Sequence, residues 1–261
     1  MPDSAMDFVE PSLFYTGVVA QIYGPLRSAG APDPSPYVRF IQRYGQPALE
    51  LGCGHGEPLL DLRELGLDIE GLDSSPDMLE RCRAAAVERG VKVVVHLQPM
   101  ESMRLGRRFR SIFLAGPTFN LLPDDDTALR ALNQIRLHLA PGGSVLIPLF
   151  EPEPTPAEAI GRVRRHVADD GTQMSVTAIS EERDETARRQ TTVLRYELIT
   201  PTETIVEERP WLLHWYGQTD ITALVEAAGL TVVRMLSESG GPAGERDRSF
   251  VLFLRDDHPE P

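Results

Sequence analysis

The sequence predicts an α/β fold with a Rossmann-like seven-stranded sheet, helices on both faces and a small antiparallel sheet inserted after the fifth strand. Short apolar strands alternate with helical patterns up to residue 150 and again beyond residue 217. Three glycines, Gly52, Gly54 and Gly56, lie at the first strand-to-helix turn. The segment between these two regions has long stretches of alternating polar and apolar residues, which are typical of antiparallel strands.

The strands can be placed individually. The third strand is predicted at 91–96 and, because it is almost wholly apolar, it is expected to be buried between two layers. The inserted strands are predicted at 172–179, 188–199 and 204–216. Three strands alone enclose too little core, so the insert must pack on the main sheet or on a second subunit. A homodimer is therefore possible.

This pattern divides the chain into three predicted parts. Residues 1–46 are expected to form an N-terminal helical cap, in which a helix over 8–27 is broken at Gly24. Residues 47–152 and 217–261 are expected to form the Rossmann-like domain, and residues 153–216 the inserted sheet.

Composition limits the functions that are possible. The chain has 261 residues and a net charge of −13, so a nucleic-acid partner or an anionic membrane surface would be repelled. A small-molecule partner is expected instead. The two cysteines, Cys53 and Cys82, indicate a reducing compartment and exclude a disulfide framework or a structural zinc site. No metal-ligand cluster stands out in the sequence. The start of the chain lacks a signal peptide pattern, so a cytoplasmic protein is expected.

The glycine turn predicts a nucleoside site. A dinucleotide fingerprint has its third glycine three residues after the second, whereas here Gly56 follows Gly54 by two. Glu57 also places a carboxylate where a pyrophosphate would lie. A ligand with a ribose and an amino-acid tail but no phosphate fits better. Glu50, near the end of the strand, supplies a carboxylate for an ammonium group.

A second signal follows about twenty residues later, as expected for a ribose-binding acid. Asp73 ends the second strand, and its carboxylate can accept hydrogen bonds from both ribose hydroxyls. Ser74, Ser75 and Pro76 have the pattern of a helix N-terminus. Met78, in the first turn of that helix, is expected to face the nucleoside.

Three motifs together carry a family resemblance. The segments LELGCGHG, GLDSSPDML and LAPGG resemble the motif series of class I S-adenosylmethionine-dependent methyltransferases. The resemblance implies that S-adenosylmethionine is the cofactor, with its methionine end at Gly52 and Gly54 and its ribose at Asp73. It also implies that the seventh strand is antiparallel and lies between the fifth and sixth.

The resemblance assigns further cofactor contacts. Residues after the third strand hold the adenine in this family, but the common aspartate near Pro99 is absent, and Gln98 and Glu101 are the two alternatives. Tyrosines of the N-terminal segment close over the cofactor. The complete set of candidate cofactor residues is Tyr15, Tyr23, Glu50, Gly52, Gly54, Asp73, Ser74, Met78, Gln98, Met100, Glu101 and Ala115.

The inserted sheet resembles that of the branch with glycine N-methyltransferases and sugar-amine N,N-dimethyltransferases, in which the insert roofs the acceptor site. This implies methyl transfer to a nitrogen or oxygen of a small molecule, as in secondary metabolism. His214 is the first choice for a general base, because its unperturbed pKa lies near neutrality, and Tyr23 is the second catalytic candidate. The candidate acceptor residues are Phe119, Asn120, Trp215 and Tyr216.

Alternatives remain open at this point. His214 and Phe119 are also consistent with a structural role, and Asn120 with a turn. The chain as a whole is consistent with a protein that binds S-adenosylmethionine or S-adenosylhomocysteine for regulation or as a scaffold, without methyl transfer. A nicotinamide-dependent oxidoreductase is a further rival, against which the glycine spacing counts.

Overall fold

The structure is a computed structural model that describes residues 14–27 and 33–256. The helices are α1 (Gly17–Leu26), α2 (Ser35–Tyr44), α3 (Leu59–Glu64), α4 (Pro76–Glu88), α5 (Asp125–His138) and α6 (Gln218–Ala227). The strands are β1 (Ala48–Leu51), β2 (Ile69–Asp73), β3 (Val95–Leu97), β4 (Phe109–Phe113), β5 (Leu139–Phe150), β6 (Val163–Val167), β7 (Gln173–Asp184), β8 (Arg189–Ile199), β9 (Thr204–His214), β10 (Leu230–Ser237) and β11 (Ser249–Asp256).

The main sheet has seven strands in the order β10-β11-β5-β4-β1-β2-β3. Strands β1 to β5 pair in parallel, and β11 runs antiparallel to both β5 and β10. The predicted Rossmann-like sheet is confirmed. Its antiparallel last strand, β11, lies between β5 and β10, which are the fifth and sixth strands of the main sheet. The strand order reverses between β1 and β4, and ligands of open α/β sheets bind at the carboxyl ends of strands beside such a reversal.

Both faces of this sheet are covered. One core cluster packs α5 and α6 on the sheet, with Phe109, Leu132 and Val225 among its buried members. A second cluster packs α2, α3 and α4 on the opposite face. A third, smaller cluster joins α1 to the inserted sheet through Val18, Ile22 and their neighbours. The N-terminal helix therefore packs mainly on the insert.

The predicted burial of the third strand is wrong. Strand β3 spans only Val95–Leu97, and the side chains of Val94 and Leu97 are each 53% exposed. The strand lies at the edge of the sheet and pairs only with β2. An apolar run does not distinguish an edge strand from a central one, because edge position is decided by sheet topology.

The inserted sheet has four antiparallel strands, in the order β6-β7-β8-β9, rather than the predicted three. Strand β6 was missed because all five of its residues are exposed, so the sequence there has no alternation of buried and exposed side chains. Strand β7 extends beyond its predicted end at residue 179, and β9 ends at His214 rather than at residue 216.

The ends of the chain are described in part. Helix α1 begins at Gly17 and includes Pro25, so the predicted break at Gly24 is wrong, and residues 8–13 of the predicted helix lie outside the described residues. Residues 257–261 also lie outside them. Within the described ranges, no helix has the length and apolar character needed to cross a membrane.

Candidate active site

A cavity of about 400 Å³ lies at the carboxyl ends of the parallel strands. Its walls come from the glycine turn after β1, the segments that follow β2, β3 and β4, and helix α5. The N-terminal segment, which contains Tyr15, Tyr23 and Arg27, completes the walls. The lining residues are Tyr15, Tyr23, Arg27, Gly52, Cys53, Gly54, His55, Glu57, Leu72, Asp73, Ser74, Ser75, Met78, Pro99, Met100, Glu101, Thr118, Leu121, Leu122, Pro123, Thr127 and Arg130. A cavity of this size can hold one nucleoside-sized ligand.

The turn after β1 requires glycine. Gly52 has a φ of +69°, and a Cβ there would lie 2.6 Å from Thr118 Cγ2. Gly56 has a φ of +101°, and its Cβ would lie 2.9 Å from Cys82 Sγ. Positive φ and close packing both exclude larger residues. The backbone of the turn is therefore held tightly against its surroundings and is open to a ligand on the cavity side.

Asp73 is oriented by two backbone donors. Its carboxylate accepts the N–H of Gly54 at 2.8 Å and the N–H of Ser75 at 2.8 Å. Burial raises the pKa of the Asp73 carboxyl, although these hydrogen bonds oppose that shift. Each carboxylate oxygen can accept more than one hydrogen bond, so Asp73 retains capacity for the two hydroxyls of a ribose.

Glu50 is a buried carboxyl group without a partner. It is 0% exposed, and within the described part of the chain neither of its oxygens has a hydrogen-bond donor. Burial first, and then the charges of Asp73 and Asp61, raise the pKa of Glu50 well above its ordinary value. Such a group favours a cationic or hydrogen-bonding ligand nearby. The residues present therefore fit a nucleoside whose other end carries an ammonium group.

Two tyrosines cover the cavity. The rings of Tyr15 and Tyr23 pack edge to face with centroids 5.2 Å apart, and Tyr23 packs in the same way on His55 at 5.5 Å. Burial raises the pKa of Tyr15, so its phenol stays protonated. The guanidinium of Arg209, on β9, donates to the carbonyl of Phe14 at 2.6 Å. The insert thus fixes the segment that carries Tyr15.

Nine of the twelve candidate cofactor residues line the cavity: Tyr15, Tyr23, Gly52, Gly54, Asp73, Ser74, Met78, Met100 and Glu101. The other three do not. Glu50 is buried near Asp73, the Gln98 side chain accepts the Arg104 N–H at 2.6 Å, and the Ala115 carbonyl accepts the Tyr37 hydroxyl at 2.8 Å. Of the two alternatives after the third strand, the structure places Glu101 at the cavity.

The structure does not bring the predicted acceptor residues to this cavity. Phe119 and Tyr216 belong to the buried core, and the Arg183 guanidinium lies over the Trp215 ring at 4.0 Å. The Asn120 amide donates to the carbonyls of Phe150 and His214, both at 2.9 Å. Residues of a fully apolar or aromatic stretch cannot be assigned to core or cavity from sequence alone, because both environments favour them.

His214 also lies outside the cavity. It ends β9, and its Nε2 lies 3.6 Å from the Asp125 carboxylate at the start of α5. Burial lowers the pKa of His214, and the Asp125 charge opposes that shift. The ring therefore faces the first turn of a helix and not the glycine turn.

Several lining residues were not among the candidate site residues predicted from the sequence. Cys53, His55 and Glu57 alternate with the glycines, so their position in the motif was a usable signal. The Arg27 guanidinium pairs with Glu57 at 2.6 Å, and burial lowers the pKa of His55. Arg130 lies on α5, and only tertiary packing brings it to the cavity. Among residues 14–27 and 33–256, no group of His, Cys, Asp and Glu side chains forms a metal site.

Comparison with known proteins agrees with this geometry. Residues 48–143 match the family profile described as "Methyltransferase domain". A dTDP-3-amino-3,6-dideoxy-alpha-D-glucopyranose N,N-dimethyltransferase from Streptomyces fradiae is 28% identical over 151 residues, which are 55% of this chain and 58% of that protein. A dTDP-4-amino-2,3,4,6-tetradeoxy-D-glucose N,N-dimethyltransferase from Saccharopolyspora spinosa is 28% identical over 231 residues, 85% of this chain and 89% of that protein.

The fold has solved counterparts. The CcbJ methyltransferase from Streptomyces caelestis superposes with a TM-score of 0.74 at 21% identity, covering 94% of this chain and 98% of its own. Among the curated relatives, the chain spans little more than half of the first two, at 58% and 56% of their lengths. The resemblance seen in the motifs is confirmed: residues 48–143 match a methyltransferase domain, and the relatives that the chain is similar to are methyltransferases.

Proposed function

We propose that this protein transfers the methyl group of S-adenosylmethionine to the nitrogen of a small-molecule amine, of the amino-sugar class named for its relatives. The observation that carries the proposal is the Asp73 carboxylate, fixed by the N–H groups of Gly54 and Ser75 and facing the cavity. This arrangement suits the two hydroxyls of a ribose and is unsuited to a phosphate.

The remaining walls support one pose for the cofactor. Gly52 and Gly54 allow close approach of the amino-acid arm, with Glu50 behind them to balance its ammonium group. Met100 and Glu101 lie where the adenine ring would rest, the first offering an apolar surface and the second a hydrogen-bond acceptor. Tyr15 and Tyr23 cover the site and exclude water.

The bound cofactor supplies a methyl group that is already activated by a sulfonium. The protein's contribution is therefore to align the acceptor nitrogen with that methyl and to keep water out. An amine that arrives neutral needs no base for the transfer itself. We accordingly do not propose His214 as a general base.

Two further expectations belong to this proposal. A homodimer is supported by the exposed edge strand β6, on which Val163 and Val167 face outward, and sedimentation would test it. A cytoplasmic location is supported by two free buried thiols, Cys53 and Cys82, and cell fractionation would test it.

The proposal is tested by isothermal titration with S-adenosylhomocysteine. We expect Asp73→Ala to weaken binding by roughly thirtyfold or more. The variant loses the hydrogen bonds between the ribose hydroxyls and the charged carboxylate, which contribute about 2 kcal/mol. Asp68→Ala, at the residue just before the same strand but on the surface, is the matched control and should bind normally. Unchanged affinity in Asp73→Ala would contradict the pose.

Turnover distinguishes the enzyme from its rivals. We expect the protein to convert S-adenosylmethionine to S-adenosylhomocysteine in the presence of amino sugars. Tight cofactor binding without turnover on any amine would favour a regulatory or scaffold protein. Binding of NAD with no binding of S-adenosylmethionine would favour an oxidoreductase.

A further inference from the structure

Thr118 is the polar residue in the wall that the segment between β4 and α5 gives to the cavity. Among the described residues of that segment, those that line the cavity are Thr118, Leu121, Leu122 and Pro123. Thr118 begins a short helical turn beyond the carboxyl end of β4. The strand order reverses between β1 and β4, so Thr118 stands where an open α/β sheet binds its ligand.

Thr118 packs directly on the glycine turn. A Cβ at Gly52 would lie 2.6 Å from Thr118 Cγ2 and 3.3 Å from Thr118 Oγ1, so the missing side chain of Gly52 leaves the room that Thr118 occupies. The Thr118 N–H donates to the Gly116 carbonyl at 2.8 Å, which holds the backbone of this residue. Because a β-branched side chain rotates little about its first bond, the hydroxyl is kept beside the turn.

The Thr118 hydroxyl is available to a ligand. Thr118 is half-buried and lines the cavity, and within residues 14–27 and 33–256 no group hydrogen-bonds to its hydroxyl. The oxygen is not enclosed by the protein either. Thr127 lines the same cavity, but its hydroxyl already accepts a hydrogen bond from the Arg130 guanidinium at 2.8 Å. The two threonines therefore differ in what they can offer a ligand.

The proposed cofactor pose puts the reacting sulfur near Thr118. The sulfur of S-adenosylmethionine joins the ribose, at Asp73 in this pose, to the amino-acid arm, at Gly52 and Gly54. These two parts of the site adjoin, because the Gly54 N–H donates to the Asp73 carboxylate at 2.8 Å. Since Thr118 packs on Gly52, an acceptor nitrogen that approaches the methyl from the side of β4 comes within reach of Thr118 Oγ1.

We infer that Thr118 Oγ1 accepts a hydrogen bond from the amino group of the acceptor and thereby turns its lone pair toward the methyl. This inference rests on the proposed function and specifies how the same site holds the acceptor nitrogen. A neutral primary amine can attack through its lone pair while it donates one N–H to Thr118. The apolar side chains of Leu121, Leu122 and Pro123 leave that N–H no other partner on this wall.

The hydrogen bond strengthens during the transfer. The nitrogen lone pair forms the new N–C bond, the S–C bond breaks, and its electron pair stays on sulfur as S-adenosylhomocysteine forms. The nitrogen becomes cationic, so its N–H becomes a stronger donor to Thr118 Oγ1. The surplus proton passes to water once the product has left. Because the contact is stronger in the transition state than before it, losing the contact lowers kcat.

Thr118→Val tests the inference, because valine keeps the branched shape beside Gly52 and removes the oxygen. The substrate is dTDP-3-amino-3,6-dideoxy-α-D-glucopyranose, the amino sugar in the name of a relative. We expect kcat to fall about tenfold, and the affinities for S-adenosylmethionine and S-adenosylhomocysteine to change less than about twofold. Thr118→Ser keeps the hydroxyl and should retain at least about half of kcat.

The matched control is Thr231→Val, which makes the same change at an exposed residue of β10 outside the cavity. It should leave kcat and both cofactor affinities unchanged. A fall in kcat that is equal in Thr231→Val and Thr118→Val would overturn the inference.

Two ligands separate this contact from a packing defect. The amino sugar and its N,N-dimethyl derivative are titrated into protein saturated with S-adenosylhomocysteine. Both titrations are made at about pH 9, above the pKa of about 8 that an amino group beside electron-withdrawing groups has. We expect Thr118→Val to weaken binding of the primary amine about fivefold, or about 1 kcal/mol. The neutral dimethylamine has no N–H, so its affinity should change less than about twofold.

Four results would overturn the inference. They are an unchanged kcat in Thr118→Val, equal weakening of the two sugars, no binding of either sugar while S-adenosylhomocysteine is bound, or a larger loss of affinity for S-adenosylmethionine than for S-adenosylhomocysteine. The last would place the Thr118 oxygen at the cofactor methyl instead of at the acceptor. Failure of the unaltered protein to bind S-adenosylhomocysteine would instead overturn the proposed function itself.

Discussion

The Ser75 hydroxyl donates a hydrogen bond to the backbone carbonyl of Tyr15 at 2.5 Å. The same oxygen caps α4 by accepting the Met78 N–H at 3.1 Å, and the Ser75 N–H donates to Asp73. One residue therefore joins the carboxylate proposed for the ribose to the segment that covers the cavity. Cofactor binding and closure of this segment should be coupled.

Ser75→Ala tests this coupling. The variant loses the helix cap, which costs about 1 kcal/mol of stability, and also the link to Tyr15. We expect the affinity for S-adenosylhomocysteine to fall about tenfold in isothermal titration. Asp124→Ala removes the cap of α5 in the same way but has no link to the covering segment. It should lose similar stability and keep its affinity, and an equal loss in both variants would argue against coupling.

The cofactor half of the site could be predicted because its signals are local in sequence. The glycines Gly52 and Gly56 need positive φ, and Asp73 follows at the end of the next strand, so the chain itself brings them together. The strand order followed from a family resemblance carried by the same motifs.

The acceptor half could not be predicted because it depends on contacts between distant segments. The Asn120 amide donates to the backbone carbonyl of His214, which is 94 residues away in the sequence. A contact of this kind produces no recognisable sequence pattern. The face of β9 that carries His214 is defined only when α5 packs against it. Strand β6 is exposed throughout, so it lacks the alternation by which strands are recognised.

Glu50→Gln should stabilise the protein without cofactor in a pH-dependent way. Since the folded-state pKa of Glu50 is raised above 4.5, its contribution to stability is fully present below that pH and is lost as the pH rises through the raised value. Glutamine does not titrate. We expect urea denaturation to show little difference at about pH 4.5 and a gain of about 1 kcal/mol or more at about pH 7.5.

The control for this variant is Glu80→Gln, which changes an exposed residue of α4 and should show no such pH trend. Saturating S-adenosylhomocysteine should stabilise the unaltered protein more than Glu50→Gln, because the carboxylate would then face an ammonium group. A gain in stability that is independent of pH would contradict this account of Glu50.

Arg209→Ala should loosen the N-terminal segment. Arg209 is 7% exposed, and its guanidinium donates to the Phe14 carbonyl and to the Thr16 hydroxyl, at 2.6 and 3.0 Å. We expect a loss of about 2 kcal/mol in urea denaturation and faster proteolysis of the segment. Arg209→Lys should recover less than half, because one ammonium cannot match the guanidinium fork.

Arg195→Ala is the matched control for Arg209. Arg195 lies on the neighbouring strand β8 and forms an exposed pair with Glu208. Its loss should change stability by less than about 0.5 kcal/mol. Similar losses in Arg195→Ala and Arg209→Ala would show that the contacts to the N-terminal segment contribute little.

Asn120→Asp separates a structural role from acceptor binding. The buried amide of Asn120 donates to the carbonyls of Phe150 and His214, and its oxygen accepts the Phe150 N–H at 3.3 Å. Aspartate would set a charged oxygen against those carbonyls, so we expect a loss of about 3 kcal/mol in urea denaturation. Asn133→Asp, on the exposed face of α5, should lose less than about 0.5 kcal/mol. If Asn120→Asp instead kept its stability and lost only affinity for amine acceptors, Asn120 would belong to the acceptor site after all.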